Sequence, residues 1–159
     1  MRLTSLRSDS LFFPFGYSEY VLIRTTGALE FIDLTDRITR IVETSNVQTG
    51  LVNVQSLHTT AAILVNENEP LLLEDMRRRL EAFAPRDDAY HHDDFSVRIV
   101  NRTPDEEPNG HSHCKAMILP SSVTLQIQRG QLRLGCWQRI FLAELDRAKE
   151  RTISVMVLG

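Results

Sequence analysis

Hydrophobic and polar residues alternate along several segments of the chain, and this pattern predicts β-strands. Leu51 to Leu57 and Ser122 to Ile127 show the two-residue period of strands with one buried face. Arg129-Gly130 then suits the turn of a hairpin that leads into the next apolar segment. Further strands are predicted over residues 20–24, 61–65, 131–134, 137–145 and 152–158.

Three other segments have apolar residues at helical spacing, and each begins near a residue suited to a helix start. They cover residues 34–42, 70–83 and 111–119. Asp33 or Thr35 could cap the first helix, and Pro70 fits the first turn of the second. Asn109 could cap the third helix, which Pro120 ends.

These elements divide the chain into an arm and one domain. Residues 1–19 are predicted to form an irregular N-terminal arm, and residues 20–159 a single domain. The stretch 84–109 is long, polar and rich in Asp, Glu and Pro, and loops of this length in compact domains are usually functional or mobile. Several strands with two or three helices indicate an α/β sandwich with a mixed β-sheet.

Composition narrows the class of protein further. The 159 residues are 42% hydrophobic and 25% charged, which is typical of a globular domain. With 18 basic and 21 acidic residues the net charge is −3, and a general nucleic-acid binder would need a basic face. The chain has no apolar run of the roughly 20 residues that a bilayer requires. We therefore expect a cytoplasmic protein without a nucleic-acid or membrane partner, whose Cys114 and Cys136 are free thiols.

The five histidines are the first candidates for chemistry, because they fall in three polar places along the chain. His58 follows a predicted strand, His91 and His92 lie in the polar loop, and His111 and His113 lie near a helix start. A single histidine is more often a hydrogen-bonded structural residue than a ligand, but three such clusters favour a shared site. Imidazole is a common ligand of divalent cations, and a catalytic metal site needs about three protein ligands.

Polar residues on the neighbouring strands are further candidates, each with a plain structural alternative. The hydroxyls of Thr59 and Thr60 could hold a phosphate or carboxylate, or these residues could simply favour a strand end. Gln138 and Glu144 lie on one face of a mostly apolar strand, since their spacing is even. A carboxylate there needs a partner, because an unpaired buried charge would cost several kcal/mol.

The segment before the second helix allows two interpretations. Asn68 or Glu69 suits an N-cap, so the polar cluster could serve only to start the helix. Alternatively, Asn66 and Glu67 could direct an amide and a carboxylate into a pocket. The pattern alone leaves both open.

Taken in order, the polar motifs form a recognisable series. They are His58-Thr59-Thr60-Ala61, Asn66-Glu67-Asn68, Asp75, Tyr90-His91-His92-Asp93, Asn109-Gly110-His111-Ser112-His113, Ser121-Ser122, Leu134-Gly135, Trp137-Gln138 and Glu144-Leu145-Asp146. From about Tyr20 to Gly159 the chain resembles the YjbQ family, whose members are ascribed a secondary thiamine-phosphate synthase activity. The loop from Asp94 to Pro108 is longer than in many members of that family.

This resemblance implies an α/β sandwich that assembles as a homotrimer around a polar pocket. The three histidines of that pocket correspond to His58, His92 and His113, as ligands of a divalent metal ion, Zn or Mg. The other implied site residues are the catalytic candidates Glu67, Gln138 and Glu144 and the substrate-binding candidates Thr59, Thr60, Asn66, Asn68 and His111.

The implied reaction joins a pyrimidine diphosphate to a thiazole phosphate and releases pyrophosphate. The metal would act as a Lewis acid or template, with Glu67 or Glu144 as general acid or base. The chain has no acidic metal–diphosphate motif and no Gly-rich phosphate loop, so we expect this activity to be secondary to that on another small phosphorylated metabolite. The alternatives are a non-catalytic trimeric protein that holds a metal or ligand, and one whose histidines are core polar groups.

Overall fold

Strands outnumber helices in the computed structural model, which describes residues 10–13 and 15–159. The strands are β1 (Ser10–Phe13), β2 (Gly16–Arg24), β3 (Glu30–Asp33), β4 (Thr49–Ser56), β5 (Ala61–Glu67), β6 (Ser122–Gln128), β7 (Gln131–Leu132), β8 (Gln138–Glu144) and β9 (Glu150–Leu158). The helices are α1 (Thr35–Ser45), α2 (Pro70–Phe83) and α3 (Gly110–Met117), and a 3₁₀ turn covers His91–Asp93. None of the described helices has the length and apolar content to span a membrane.

Two antiparallel sheets form the framework of the domain. One has the strand order β1-β2-β9-β4-β6-β7 and the other the order β3-β8-β5. Every strand pair in the described residues is antiparallel, which corrects the expectation of a mixed sheet. A parallel pair needs a crossover within one sheet, whereas α1 links β3 to β4, and α2 and α3 lie between β5 and β6, so the helices join strands of different sheets. The predicted sandwich is confirmed.

The smaller sheet is covered on both of its faces. On one face it shares the larger core with the six-stranded sheet and α1, through residues such as Ile38, Val155 and Leu142. On the other face Phe141 packs in a second cluster with Leu80 of α2. The middle of β8 is therefore buried on both sides, which explains why Ile140 to Ala143 are four consecutive apolar residues.

Most predicted elements are present, and the differences are instructive. The bounds of α2 agree with the prediction at both ends, and Cys114 and Cys136 are free. The short strand β3 was not predicted. Part of the predicted arm lies in the larger sheet, because β1 pairs with β2. Residues 1–9 and Pro14 of that arm lie outside the described residues.

Candidate functional site

A pocket of about 280 Å³ opens where β5 begins, beside α3. Its lining residues are His58, Thr59, Ala61, His113, Ala116, Met117, Leu119 and Ser121. The fold thus brings two of the predicted site histidines, His58 and His113, to one pocket from distant parts of the chain.

His58 follows β4 directly and is held by the backbone of β9. The Thr152 N–H donates to the Nε2 of His58 over 2.7 Å. A neutral imidazole has one N–H and one lone pair, so with Nε2 as acceptor the ring proton lies on Nδ1. Burial lowers the pKa of His58, and the positive charge of Arg151 lowers it further, which keeps the ring neutral.

His92 and His113 form a contacting pair of imidazoles. Their ring centroids are 4.5 Å apart and their planes are tilted by 61°. Burial lowers the pKa of His113, and the neighbouring His92 lowers it further. The Nε2 of His92 is buried and has no hydrogen-bond partner among the described residues, while Glu106 Oε1 is 3.8 Å away and engaged by Arg98. A buried polar atom without a partner costs about 1–3 kcal/mol, so this nitrogen is a candidate ligand contact.

Asp93 fixes the 3₁₀ turn to the start of α3. Its Oδ1 accepts the N–H groups of Asn109 and Gly110, both over 2.9 Å. Asn109 occupies the N-cap position of α3, as predicted, but its side chain makes no capping bond, and Asp93 supplies the acceptor instead. A Cβ at position 110 would lie 2.5 Å from the Cβ of Tyr90, so only glycine allows this approach. The contact sets His92 beside α3.

Arg98 holds the long loop, residues 84–109, against His92. Arg98 donates to the backbone carbonyls of His92 and Asn101 over 3.1 and 2.8 Å. It also holds both carboxylate oxygens of Glu106, over 2.7 and 3.0 Å. The Arg98 hydrogen bond lowers the pKa of Glu106, which keeps the ion pair intact at neutral pH. The loop is thus ordered next to the histidine pair.

His111 belongs to a buried cluster between α2 and α3 and is absent from the pocket lining. Its Nδ1 lies 3.1 Å from the Nζ of Lys115, which also pairs with Glu81 over 2.9 Å. Burial lowers the pKa of His111, and the Lys115 charge lowers it further. Lys115 is fully buried, so the cluster joins the two helices in the interior. The substrate-binding role of His111 remains a prediction that this geometry does not favour.

Glu144 is also buried and bound by surrounding donors. Arg151 donates to its two oxygens over 2.6 and 2.5 Å, and the Thr25 hydroxyl and the Asp146 N–H donate over 3.0 and 2.9 Å. Arg151 also donates to the Thr60 hydroxyl over 3.0 Å. A carboxylate held by so many donors joins β8 to β9 and is poorly placed to transfer a proton. Thr60 likewise belongs to this network.

The remaining predicted site residues lie at the other end of β5. The strand runs from Ala61 at the pocket to Glu67, which is opposite Gln138 on β8. At 3.3–3.4 Å per residue, the two ends are about 20 Å apart. Glu67, Gln138 and Asn66 are therefore not brought to the histidine pocket within one chain.

Side chains at that far end have local partners. Asn68 donates to the carboxylate of Asp33 over 2.9 Å, and Gln138 accepts the Gly135 N–H over 2.8 Å. Glu69, the alternative cap considered above, accepts two N–H groups in the first turn of α2. The polar cluster before α2 thus includes a true N-cap.

Known proteins place this chain in a family. The family model described as UPF0047 protein YjbQ-like matches residues 19–159. The chain belongs to the YjbQ family. A UPF0047 protein of Methanothermobacter thermautotrophicus is 37% identical over 143 residues, which cover 90% of this chain and 92% of that protein. The Bacillus subtilis protein YugU is 30% identical over 138 residues, or 86% and 96% of the two chains.

Solved structures of similar proteins share the fold described above. A YbjQ-like protein of unknown function from Sulfolobus solfataricus superposes with a TM-score of 0.80 at 30% identity, covering 96% of this chain and 99% of that one. A hypothetical protein from Aeropyrum pernix K1 gives a TM-score of 0.78 at 30% identity, with 89% and 98% covered. The sandwich is therefore the common framework on which this chain carries its histidines.

The metal ion that the YjbQ resemblance implies would need three free lone pairs. Among the described residues no three His, Cys, Asp or Glu side chains are placed to hold one ion. His92 and His113 fit a ligand role, since they are in contact and the Nε2 of His92 has no other partner. His58 does not fit, because its single lone pair accepts the Thr152 N–H. The three histidines therefore do not fit as one ligand set.

Several residues of the site were not predicted from the sequence. Asp93, Arg98 and Glu106 hold the histidine pair in place, and Ser121 lines the pocket. Thr152 contributes only a backbone N–H, for which no side-chain pattern can give a signal. Asp93 and Ser121 belong to motifs on which the family resemblance rests, and their place in these motifs could have identified them as site residues.

Proposed function

We propose that the pocket binds a small anionic metabolite, and that the protein is an enzyme acting on a phosphorylated compound there. The observation that carries this proposal is the shared lining of neutral imidazoles from His58 and His113 with hydroxyls from Thr59 and Ser121. The rest of the lining is apolar and comes from Ala61, Ala116, Met117 and Leu119. Such a pocket suits a ligand with a compact apolar body and an oxygen-rich group.

Paired charges beside the pocket keep His58 neutral. The positive charges of Arg151 and Lys149 oppose protonation of the ring, and the negative charge of Glu144 partly offsets them. Arg151 is committed to the Glu144 carboxylate, and Lys149 pairs with Asp146. The histidines therefore remain neutral donors and acceptors, which can hold a phosphate or carboxylate without adding a strongly hydrated cation.

The proposed chemistry is general acid–base catalysis by His113. Because burial and His92 lower its pKa, His113 is neutral near pH 7 and can accept a proton from a bound substrate. The carboxylates of Asp146 and Glu106 act on the same ring and favour its protonated form, so they would stabilise the imidazolium that forms. His113 is therefore the first candidate for a catalytic residue.

The size of the pocket bears on thiamine-phosphate synthesis. Its volume of about 280 Å³ is just below the range of roughly 300–1,000 Å³ typical of ligand pockets. One ring with a phosphate suits this space, whereas a pyrimidine diphosphate and a thiazole phosphate together would extend out of it into solvent. We therefore propose thiamine-phosphate synthesis as a secondary activity at most, with the main substrate a single small phosphorylated metabolite.

The test compares His113→Ala with His91→Ala, which changes an exposed histidine outside the pocket lining. Binding of inorganic phosphate, pyrophosphate and thiazole phosphate is measured by calorimetry, and turnover is measured in a screen of phosphorylated metabolites. We expect His113→Ala to weaken binding at least tenfold and abolish turnover, and His91→Ala to do neither. Equal behaviour of the two variants would refute the proposal.

A second candidate function is metal binding without turnover, and the unpartnered Nε2 of His92 favours it. Two contacting imidazoles provide two nitrogen ligands for a borderline-soft cation such as Zn²⁺. Zinc titration of the wild type and of His92→Ala separates the two functions. Zinc binding that depends on His92, in a protein without turnover of any tested phosphate compound, would favour this candidate.

We also propose that the protein assembles as a homotrimer, as the family resemblance implies. The outer face of the six-stranded sheet exposes four large apolar side chains, which support an association surface. They are Tyr20, Leu51, Met156 and Leu158. Glu67 and Gln138 could then join a histidine pocket only from another subunit, because within one chain they lie about 20 Å away. Sedimentation of the wild type and of Met156→Glu tests the assembly, since a trimer should dissociate in the variant.

A further inference from the structure

The end of the β4–β9 ladder is completed by a side chain. Where β4 ends, the Leu57 N–H still donates to the Thr152 carbonyl over 3.2 Å. The Thr152 N–H donates instead to the Nε2 of His58, over 2.7 Å. The backbone N–H of His58 is itself held by the Ser56 hydroxyl over 3.3 Å. The imidazole thus occupies the place of a missing backbone acceptor, and this hydrogen bond fixes its orientation.

From this geometry we infer that His58 is the pocket's fixed hydrogen-bond donor, and that it selects ligands with an anionic oxygen rather than a cation. The ring is neutral and its one lone pair faces the Thr152 N–H, so the remaining ring nitrogen, Nδ1, carries the proton. An N–H donor recognises an oxygen of a phosphate or carboxylate and repels a metal ion. This inference rests on the proposed function, because it assigns a role at the same pocket.

Either route by which His58 could bind a cation is unfavourable. Binding through Nε2 would leave the Thr152 N–H without an acceptor, which lowers affinity by about tenfold or more. Binding through Nδ1 would require the ring to lose its only proton while Nε2 remains an acceptor. The family resemblance gives His58 the same role as His92 and His113, whereas the structure separates them.

The neighbouring groups match the same ligand chemistry. Thr59 and Ser121 bring hydroxyls to the lining, and a hydroxyl can donate to an anionic oxygen. Burial and the charge of Arg151 lower the pKa of His58, and the Glu144 carboxylate only partly offsets them, so the ring stays a neutral donor. Together these groups form a site for an oxyanion.

The test exploits a substitution that copies both hydrogen-bonding roles of His58. In His58→Gln the side-chain oxygen can accept the Thr152 N–H and the amide NH₂ can donate to a ligand, whereas His58→Leu can do neither. We expect His58→Gln to bind inorganic phosphate within about threefold of the wild type, and His58→Leu to bind it at least tenfold more weakly. Zinc affinity should be the same in the wild type and His58→Gln. His58→Leu removes the acceptor of a partly buried N–H, so the fold of this variant is checked by circular dichroism. If His58→Leu unfolds, the test relies on phosphate and zinc binding by His58→Gln.

Nitrogen-15 NMR of the wild-type imidazoles gives a readout that needs no ligand. We expect His58 to show a protonated Nδ1 and an unprotonated Nε2 at pH 7. A protonated Nε2, or a loss of zinc binding in His58→Gln, would overturn the donor assignment and leave the proposed function standing. Failure of the wild type to bind phosphate, with the expected NMR pattern, would instead refute the proposed function and the ligand role built on it.

Discussion

Single residues set the distance between His92 and His113. Asp93 and Gly110 act together, because the carboxylate holds two N–H groups at the start of α3 and the missing side chain lets Tyr90 approach. Neither residue lines the pocket, so both are positioning residues. The arrangement makes the histidine pair sensitive to a change of one methyl group.

The first prediction is that Gly110→Ala destabilises the protein and disturbs the histidine pair. The added Cβ would lie 2.5 Å from the Cβ of Tyr90, so the turn or the helix must shift, at a cost of about 1–3 kcal/mol. The matched control is Gly27→Ala, whose new Cβ would meet no atom within 4 Å. Thermal unfolding of both variants checks the prediction, which fails if their midpoints fall by similar amounts.

The strands and helices are held together by buried charges as well as by apolar packing. Glu144 of β8 and Arg151 of β9 form a fully buried ion pair at the junction of the two sheets. The buried Lys115 of α3 pairs with Glu81 of α2, whose side chain is partly exposed. Such pairs contribute little net stability when complete, but the loss of one partner leaves the other charge buried and unpaired.

The second prediction concerns the ion pair between β8 and β9. Arg151→Leu should lower the free energy of unfolding by about 3–5 kcal/mol, because Glu144 would remain buried without its partner. Arg24→Leu is the control, since the Arg24–Glu150 contact is long, at 3.9 Å, and both side chains are at least half exposed. Urea unfolding should show a large loss for the first variant and a small one for the second. A small loss for Arg151→Leu would mean that Glu144 finds another partner.

The sequence predicted the strands and helices well, but it predicted poorly which of their ends and side chains come together. Periodicity and the proline rule located α2 at both ends, because both signals are local. Even spacing put Gln138 and Glu144 on one face of β8, yet they lie at opposite ends of that strand. His58 likewise precedes β5 whereas Glu67 ends it, and a pattern that identifies a strand does not say which of its ends faces a ligand. The bonds from Asp93 to the start of α3 could not be predicted, because Asp93 lies in a distant part of the chain.

Acid should destabilise the folded protein. Burial lowers the pKa values of His58, His111 and His113 below the ordinary value of about 6.5. Each ring therefore binds a proton more readily in the unfolded chain than in the folded protein. Their neutral forms contribute stability above that pH, and the contribution is lost as the pH falls.

The third prediction is that the free energy of unfolding decreases as the pH is lowered from 8 through 6 to 5. A second decrease should follow below about pH 4, because the pKa values of Asp33 and Glu81 are also lowered in the folded protein. Urea titrations at each pH check both phases. His113→Asn should show a shallower first decrease, and a flat profile between pH 8 and 5 in the wild type would contradict the prediction.

The pairing of β2 with β9 joins residues from opposite ends of the described chain, with Gly16 opposite Leu158. Contacts so distant in sequence must wait until β9 has been synthesised, and domains rich in them fold slowly. β4 also needs β9, as its ladder partner. On the ribosome the nascent chain can therefore form α1 and α2 early, but the larger sheet closes only when its last strand has emerged.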